Sequence, residues 1–362
     1  MYLHEKDKWW IFSYDTDDVM PVLSQVRMRQ GKILGIMQSI GLNDRESATL
    51  QTLTTNIVKS AEIEGELLNL QQVRSSIARR LGIATAGLVE SSHYIEGVVE
   101  MMLDATQRYN EPLSDERLFG WHNTLFPTGR SQLYKIDVGC YRTHAMQVVS
   151  GPMGHERVHY EAPQPERVTL EIARFISWLN NTDATDAVLR AAIAHLWFVT
   201  IHPFDDGNGR IGRAIMDMML CRADNTPNRF YSMSAQILKK RNEYYDLLED
   251  AQKGNGDITE WLVWFLHTME QALSESELLV QKAIRRNQFW DSVSKLSFNE
   301  RQRKILELLL EDFKGNLTSG KWAKICHCST DTALNDIKDL LQKGILDKAE
   351  EGGRSTNYKL VK

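Results

Sequence analysis

Apolar residues recur at helical spacing through most of the chain. They predict a helix over 186–201 that is apolar nearly all round and therefore buried, and a second helix over 210–223. Residues 257–273 begin with a capping pair, Asp257 and Glu260, and helical spacing also runs through 47–80 and 85–108. The clearest strand signals lie at 145–162, where two β-prone runs flank a Gly-Pro-Met-Gly turn and predict a hairpin. The expected fold class is mainly all-α with one hairpin.

The C-terminal segment predicts a different module. Three helices, over 298–313, 318–327 and 329–346, precede two short strands around Gly352-Gly353. This order is the pattern of a winged helix-turn-helix, in which Ser329 and Thr330 would cap the recognition helix. Residues 295–362 carry 13 basic and 10 acidic side chains, and three of the aspartates lie on that helix. DNA binding through 295–362 and service as a protein docking or dimerisation unit both stay open.

Composition and charge narrow the class of protein. The chain has 362 residues and a net charge of −5, which argues against a whole-chain polyanion binder. Four cysteines provide no disulfide framework, and Cys326 and Cys328 in "CHC" are interpreted as thiols because no second Cys/His pair lies nearby. No apolar h-region follows the start, and no stretch approaches about 18 uncharged apolar residues. We therefore expect a cytoplasmic protein that does not contact a membrane.

The stretch 202–213, "HPFDDGNGRIGR", has a composition that no core requires. Gly207, Asn208 and Gly209 tolerate positive φ, so their backbone N–H groups can converge on an anion. The residues after them begin a helix, whose dipole also favours negative charge at that end. The turn therefore predicts a phosphate-binding cradle.

Charged side chains complete this cradle. Arg210 and Arg213 lie one helical turn apart and can clamp one polyanion. Asp206 offers a hard oxygen ligand for Mg²⁺, and His202 can accept a proton near neutral pH. The set indicates phosphoryl or nucleotidyl transfer. The sequence has no P-loop pattern G-x-x-x-x-G-K-[ST], and no G-x-G-x-x-G that follows a predicted strand as in dinucleotide-binding proteins.

The same stretch resembles the signature of the Fic family, H-x-F-x-[DE]-G-N-G-R-x-x-R, at every fixed position. The resemblance implies a helical Fic core with a hairpin flap, and an adenylyltransferase that moves AMP from ATP to a Ser, Thr or Tyr hydroxyl of a protein or of the chain itself. His202 would be the base, Asp206 the Mg²⁺ ligand and Phe204 the anchor of the loop. The cradle would hold the phosphates, with both arginines on the outer ones. A homodimer is expected by the same analogy, and transfer of another group stays open.

Two further segments resemble parts of the family. Residues 139–168 are similar to its flap, where an exposed strand edge could pair with a target's backbone. The flap residues expected to border the nucleotide are Val158, His159, Tyr160 and Glu161. Residues 242–258 resemble the helix and turn that complete the nucleotide pocket, which makes Tyr244 and Tyr245 candidates to line or stack on adenine.

Residues 54–69 contain Ser60-x-x-x-Glu64-Gly65, which matches the inhibitory pattern [ST]-x-x-x-E-[GN] of the same family. Average composition yields such a loose pattern by chance roughly 0.3 times in a chain this long, so its position before the core carries the interpretation. The resemblance implies an inhibitory helix whose Glu64 pairs with Arg213 and occupies the guanidinium that should orient the γ-phosphate. The alternative is that Glu64 is one of several carboxylates on a solvated helix.

The predicted organisation has three parts: a helical accessory region with the inhibitory helix (1–110), a Fic catalytic core (111–275) and a winged-helix-like domain (276–362). Two other functions stay open. The same site could remove AMP from a modified protein if Glu64 orients a water molecule. The chain could also be a nucleotide-sensing, DNA-binding regulator. The intact His202 and Asp206 favour the enzyme, because a sensor needs no base.

Overall fold

The computed structural model describes residues 1–84, 86–131, 134–151, 157–310, 313, 315–348 and 356–361. Helices account for most of these residues, and their bounds are α1 Thr16–Ser39, α2 Leu42–Ile63, α3 Leu70–Leu81, α4 His93–Gln107, α5 Asp115–Leu125, α6 Pro165–Asn180, α7 Ala187–Ile201, α8 Asn208–Asp224, α9 Met233–Lys239, α10 Arg241–Lys253, α11 Thr259–Ser292, α12 Glu300–Leu310, α13 Ser319–Cys326 and α14 Thr330–Gln342. The mainly all-α class predicted from the sequence is confirmed.

Short antiparallel strand pairs interrupt the helices. Their bounds are β1 Arg130–Ser131, β2 Tyr134–Lys135, β3 Gln147–Ser150, β4 Arg157–Glu161, β5 Leu346–Lys348 and β6 Tyr358–Leu360, paired in that order. The pair β3–β4 is the predicted hairpin, although residues 152–156 of its turn lie outside the described residues. The pair β1–β2 was not predicted, because two-residue strands leave no periodicity to detect.

The chain divides into two compact units, 1–277 and 278–362. The core of the first is built on α7, which is buried from Val188 to Ile201 because its sequence is apolar on every side. Helix α8 packs closely on α7 at Gly212, where an added Cβ would lie 2.9 Å from Cγ1 of Val199. This contact fixes the two helices that flank the 202–207 loop.

Helix α2 ends earlier than the sequence predicts. The inhibitory helix was expected to span 54–69, but α2 stops at Ile63 and α3 begins only at Leu70. Gly65 adopts a left-handed φ of +82°, which favours glycine, and the amide of Glu66 donates to the carbonyl of Ala61. This Schellman-type turn ends the helix, so the acidic segment that follows Ile63 forms a turn.

The second unit contains α12–α14 and the pair β5–β6. Its helices bury a small core that includes Trp322, Leu306 and Ile337. Helix α14 begins where predicted, and its N-cap Ser329 accepts a hydrogen bond from the amide of Thr332. The expected turn at Gly352-Gly353 lies outside the described residues, so the winged helix stays a prediction. Within the described part of the chain, no helix combines the length and the apolar character needed to cross a membrane.

Candidate active site

The loop between α7 and α8 is held in shape by its own residues. His202 ends α7 with a φ of +52°, and Gly207 precedes α8 with a φ of +82°. The amide of Asn208 closes the loop, since its Oδ1 accepts from the backbone N–H of Phe204 at 3.0 Å and its Nδ2 donates to the carbonyl of Phe204 at 2.8 Å. The ring of Phe204 is fully buried and stacks on His122 at 4.2 Å. The side chain of Asn208 therefore holds the loop together, while its backbone forms the first residue of α8.

The tautomer of His202 follows from one hydrogen bond. Its Nδ1 lies 3.1 Å from the carbonyl oxygen of Val199, which can only accept, so Nδ1 carries the proton. Nε2 is then the unprotonated ring nitrogen. Burial lowers the pKa of His202 below its usual range, with the Val199 contact acting in the opposite direction. The ring is therefore neutral at pH 7 and able to accept a proton at Nε2.

Arg142 fixes the turn that carries His202. Its Nε donates to the carbonyl of His202 at 2.7 Å, its Nη2 donates to the carbonyl of Pro163, and its backbone N–H donates to the carbonyl of Pro203. The side chain is 2% exposed. Because Arg142 binds backbone carbonyls rather than particular side chains, its role leaves no spacing pattern that sequence reasoning could detect.

Arg213 is fully buried at the inner end of the cradle. Its Nε donates to Oγ of Ser60 at 2.8 Å, and its Nη2 donates to Oε1 of Glu64 at 2.8 Å and to the carbonyl of Ser60 at 2.9 Å. Nη1 has no hydrogen-bond acceptor among the residues that the structure describes. Burial is the largest single influence and would raise the pKa of Glu64, but the charge and the hydrogen bond of Arg213, together with the charge of Arg210, hold the pKa below its usual range. Glu64 is therefore ionised.

The carboxylate of Glu64 also lies against the glycine turn. A Cβ added to Gly209 would fall 2.2 Å from Oε1 of Glu64 and 3.2 Å from Nη1 of Arg213. Gly209 is in the first turn of α8, where backbone N–H groups favour an anion. A carboxylate oxygen of Glu64 thus lies close to Gly209 of the predicted phosphate cradle.

Arg210 has a separate set of partners. Its side chain is 4% exposed, and its Nη1 donates to Oε2 of Glu66 at 3.0 Å and to the hydroxyl of Tyr94 at 2.7 Å. Nη2 lies 3.7 Å from Oδ1 of Asp206. Sequence reasoning missed both Glu66 and Tyr94. The acidic repeat "EGE" at 64–66 was the available signal for Glu66, and Tyr94 had none.

Asp206 is the half-exposed acid of the loop. Its Oδ1 accepts from the amide of Gly207 at 2.5 Å, and its Oδ2 accepts from the hydroxyl of Ser131 on β1. With 41% of its side chain exposed, this carboxylate is accessible to a hard cation. One carboxylate combined with substrate phosphates and water suits Mg²⁺, so the residues present fit that ion.

Residues 112–220, which include this loop and both arginines, match the model of the Fic/DOC family. We refer to residues 112–220 as the Fic/DOC domain. A second match, over residues 2–83, is to a domain of unknown function, DUF4172. The Fic/DOC domain thus spans α5 to α8, while Ser60, Glu64 and Glu66 come from the region that precedes it.

Relatives with curated names support the same assignment. Protein adenylyltransferase Fic of Aedes aegypti is 29% identical over 208 residues, which are 55% of this chain and 37% of that protein. Protein adenylyltransferase fic-1 of Caenorhabditis briggsae is 27% identical over 210 residues, which are 57% of this chain and 38% of that protein. The chain therefore matches well under half of the length of these relatives. Together with the domain match, they support a Fic-type enzyme.

Solved structures share the fold. A Fic family protein from Desulfovibrio desulfuricans G20 superposes with a TM-score of 0.55 at 20% identity, covering 96% of this chain and 97% of that chain. A Fic-domain signaling protein from Bacteroides thetaiotaomicron VPI-5482 gives a TM-score of 0.52 at 19% identity, covering 74% and 97%. At these identities the likeness concerns the fold alone.

The two tyrosines of α10 lie in different surroundings. Tyr244 is 1% exposed, and its hydroxyl lies 2.8 Å from Nε2 of His195 within the core of the unit. Tyr245 is 36% exposed, and its hydroxyl lies 3.4 Å from Oε2 of Glu64. Both tyrosines lie near the buried Arg213, and Tyr245 is the more exposed of the pair.

The four flap residues on β4 also differ from one another. Tyr160 is buried and its hydroxyl donates to the carbonyl of Thr200 at 2.7 Å, which fastens the flap to α7. Nδ1 of His159 lies 2.6 Å from Oε2 of Glu249 on α10. Val158 is 38% exposed, and Glu161 accepts from Gln147 of β3. Tyr160 is thus a structural anchor of the flap, whereas Val158 has a surface that a ligand can reach.

Proposed function

We propose that this protein is an adenylyltransferase that moves AMP from ATP to a serine, threonine or tyrosine hydroxyl of a protein. The observation that carries the proposal is the arrangement of one loop: His202 presents an unprotonated Nε2, and the same loop leads into a glycine turn flanked by two buried arginines. A base beside a polyanion cradle suits attack on a nucleotide phosphate. The adenylyltransferase names of the relatives support the choice of AMP.

In the proposed reaction the hydroxyl oxygen of the target attacks the α-phosphorus of ATP. The hydroxyl proton passes to Nε2 of His202, and the bond between the α-phosphorus and its bridging oxygen to the β-phosphorus breaks. Diphosphate leaves, and AMP remains on the target as a phosphodiester. Arg142 contributes by holding the carbonyl of His202, which keeps the ring in a fixed position for the proton transfer.

Asp206 is the residue that would hold Mg²⁺. When bound, the ion would neutralise charge on the β- and γ-phosphates and on the departing diphosphate. Ser131 keeps one oxygen of Asp206 in place through its hydroxyl, and the amide of Gly207 keeps the other. Arg210 and Arg213 supply the remaining positive charge for the outer phosphates.

We also propose that Glu64 inhibits this reaction. Its carboxylate takes a hydrogen bond of Arg213 that a phosphate oxygen would need, and its negative charge lies against Gly209 where that phosphate would sit. ATP can then bind productively only after Glu64 has moved. Ser60 accepts from Nε and Nη2 of the same guanidinium, so Arg213 stays in place while Glu64 is displaced.

Labelling with α-³²P-ATP tests both proposals. The wild-type chain, Glu64→Gly and the double variant Glu64→Gly/His202→Ala are incubated with Mg²⁺, labelled ATP and a cell extract as the source of hydroxyl substrates. We expect weak labelling of protein by the wild type, strong labelling by Glu64→Gly and none by the double variant. Labelling that persists without His202 would remove it as the base. ATP binding by Glu64→Gly without any labelling would favour the nucleotide-sensing regulator.

A further inference from the structure

The acidic turn that carries Glu64 has a second contact with the Fic/DOC domain. Two residues further on, Oε2 of Glu66 accepts from Nη1 of Arg210 at 3.0 Å. Tyr94 on α4 closes the contact, because its hydroxyl donates to Glu66 and accepts from Arg210. Each of the two arginines that flank the phosphate cradle is thus bound by a different carboxylate of the same turn.

The geometry of the turn explains how two nearby acids reach two arginines. Gly65 takes the left-handed conformation, its amide donates to the carbonyl of Glu62, and the amide of Glu66 donates to that of Ala61. The chain therefore reverses between Glu64 and Glu66 rather than continuing as a helix, in which they would diverge by about 200° around the axis. Both carboxylates can then contact the first turns of α8.

We propose that Glu66 is a second inhibitory residue, which holds Arg210 through its own ion pair while Glu64 holds Arg213. The proposal rests on the adenylyltransferase function and on inhibition by Glu64. Its consequence is that removing Glu64 alone frees only one of the two guanidinium groups. Glu66 and Tyr94 remain on the other and compete with the phosphates for it.

The charges around the cradle support this competition. Arg210 and Arg213 bring two positive charges, and Glu64 and Glu66 bring two negative charges within 3.0 Å of them. Asp206 adds a third negative charge 3.7 Å from Arg210. With all three carboxylates in place these five side chains carry a net charge of −1, and each acid removed from the turn makes the potential of the cradle more positive.

The test measures nucleotide affinity directly. Isothermal titration of the full chain with Mg²⁺ and α,β-methylene ATP, whose α–β linkage cannot be cleaved, compares Glu64→Gly with Glu64→Gly/Glu66→Gln. Loss of a charge-assisted contact that competes with the ligand should tighten binding by about tenfold. Tyr94→Phe in the Glu64→Gly background should tighten it by a smaller factor, because the carboxylate remains.

Glu62→Gln is the matched control. Glu62 lies in the last turn of α2, four residues before Glu66, and has a similar exposed fraction, 33% against 31% for Glu66, but its partner is Lys59. It should leave the affinity unchanged. Unchanged or weaker binding in Glu64→Gly/Glu66→Gln would overturn the second inhibitory contact, and the weaker result would make Glu66 a positioning residue for Arg210. If Glu64→Gly itself bound no nucleotide, both the proposed adenylyltransferase function and the second inhibitory contact would be refuted.

Discussion

Replacing Glu64 by glutamine tests the ion pair with Arg213 through stability rather than activity. The side chain keeps its size and an acceptor oxygen, but its charge is lost while the guanidinium of Arg213 stays fully buried. Arg213 keeps two hydrogen bonds to Ser60, so its buried positive charge still has hydrogen-bond acceptors. The expected cost lies near the worth of one charge-assisted hydrogen bond, about 1.5–3 kcal/mol. For a unit of this size that corresponds to a Tm lower by roughly 3–12 °C.

Bound nucleotide should reduce this difference in Tm between Glu64→Gln and the wild type. Mg²⁺-ATP at 100 times its Kd stabilises a protein by about 2.7 kcal/mol if it binds only the folded state. In Glu64→Gln the phosphates meet a cradle with no carboxylate on Arg213, so most of that gain appears. In the wild type the binding free energy must also displace Glu64 from Arg213, so the Tm rises less. Glutamine therefore costs stability without nucleotide and recovers it when nucleotide is added.

Differential scanning calorimetry on both proteins, with and without Mg²⁺-ATP, measures the two effects. The second unit, 278–362, serves as an internal reference if it unfolds in its own transition, because the substitution lies in the first unit. Glu62→Gln, two residues earlier in the chain, is again the control for loss of a nearby carboxylate. Equal Tm values without nucleotide together with equal shifts on its addition would refute the reasoning, since the pair would then neither stabilise the fold nor compete with phosphate.

Two further predictions concern the helices that carry the site. Burial lowers the pKa of His122 and of His195 to about 4, so the unfolded chain takes up their protons first as the pH falls. The free energy of unfolding should therefore drop from pH 6.5 towards 4 by up to about 1.4 kcal/mol per pH unit for each ring. Chemical denaturation at several pH values should show a shallower pH dependence for His195→Gln, and an unchanged dependence would contradict the lowered pKa of His195. Gly212→Ala places a Cβ 2.9 Å from Cγ1 of Val199 and should lower the free energy of unfolding by about 1–3 kcal/mol. The control is Gly120→Ala, whose Cβ meets nothing within 4 Å and should not lower it. Equal free energies of unfolding for the two variants would show that α7 and α8 separate at no cost.

The fold follows from the sequence where one periodicity runs unbroken. Helix α7 is predicted because its residues are apolar all round, and the structure buries nearly every one. The break after Ile63 is not predicted, because one glycine inside a helical pattern is usually tolerated. What ends α2 is the left-handed conformation of Gly65 together with the backbone bond from Glu66 to Ala61. Neither is visible in apolar spacing.

The candidate site likewise has one part that the sequence predicts and another that it does not. The loop 202–213 is contiguous, so its chemistry can be read from adjacent residue types. The groups that hold it come from elsewhere in the chain: Arg142 lies 60 positions before His202, and Ser131 lies 75 positions before Asp206. Such contacts depend on how α5 and the strands after it pack beside the loop. No local pattern encodes that packing.

The contacts of α2 limit how inhibition can be relieved. Asn56, Ser60 and Glu64 follow one another at single-turn spacing, and the first two are buried where they bind Asp217 and Arg213 of α8. Lifting α2 from α8 would break the hydrogen bond from Asn56 to Asp217. The buried carboxylate of Asp217 would lose one of its hydrogen-bond donors, which costs free energy. Rotating the side chain of Glu64, which is 30% exposed, breaks its contacts with the guanidinium and with the hydroxyl of Tyr245 and leaves those of Asn56 and Ser60 intact. We therefore expect an activating ligand to act on the turn that carries Glu64 and Glu66, while α2 stays docked and Ser60 continues to hold Arg213 in position for phosphate.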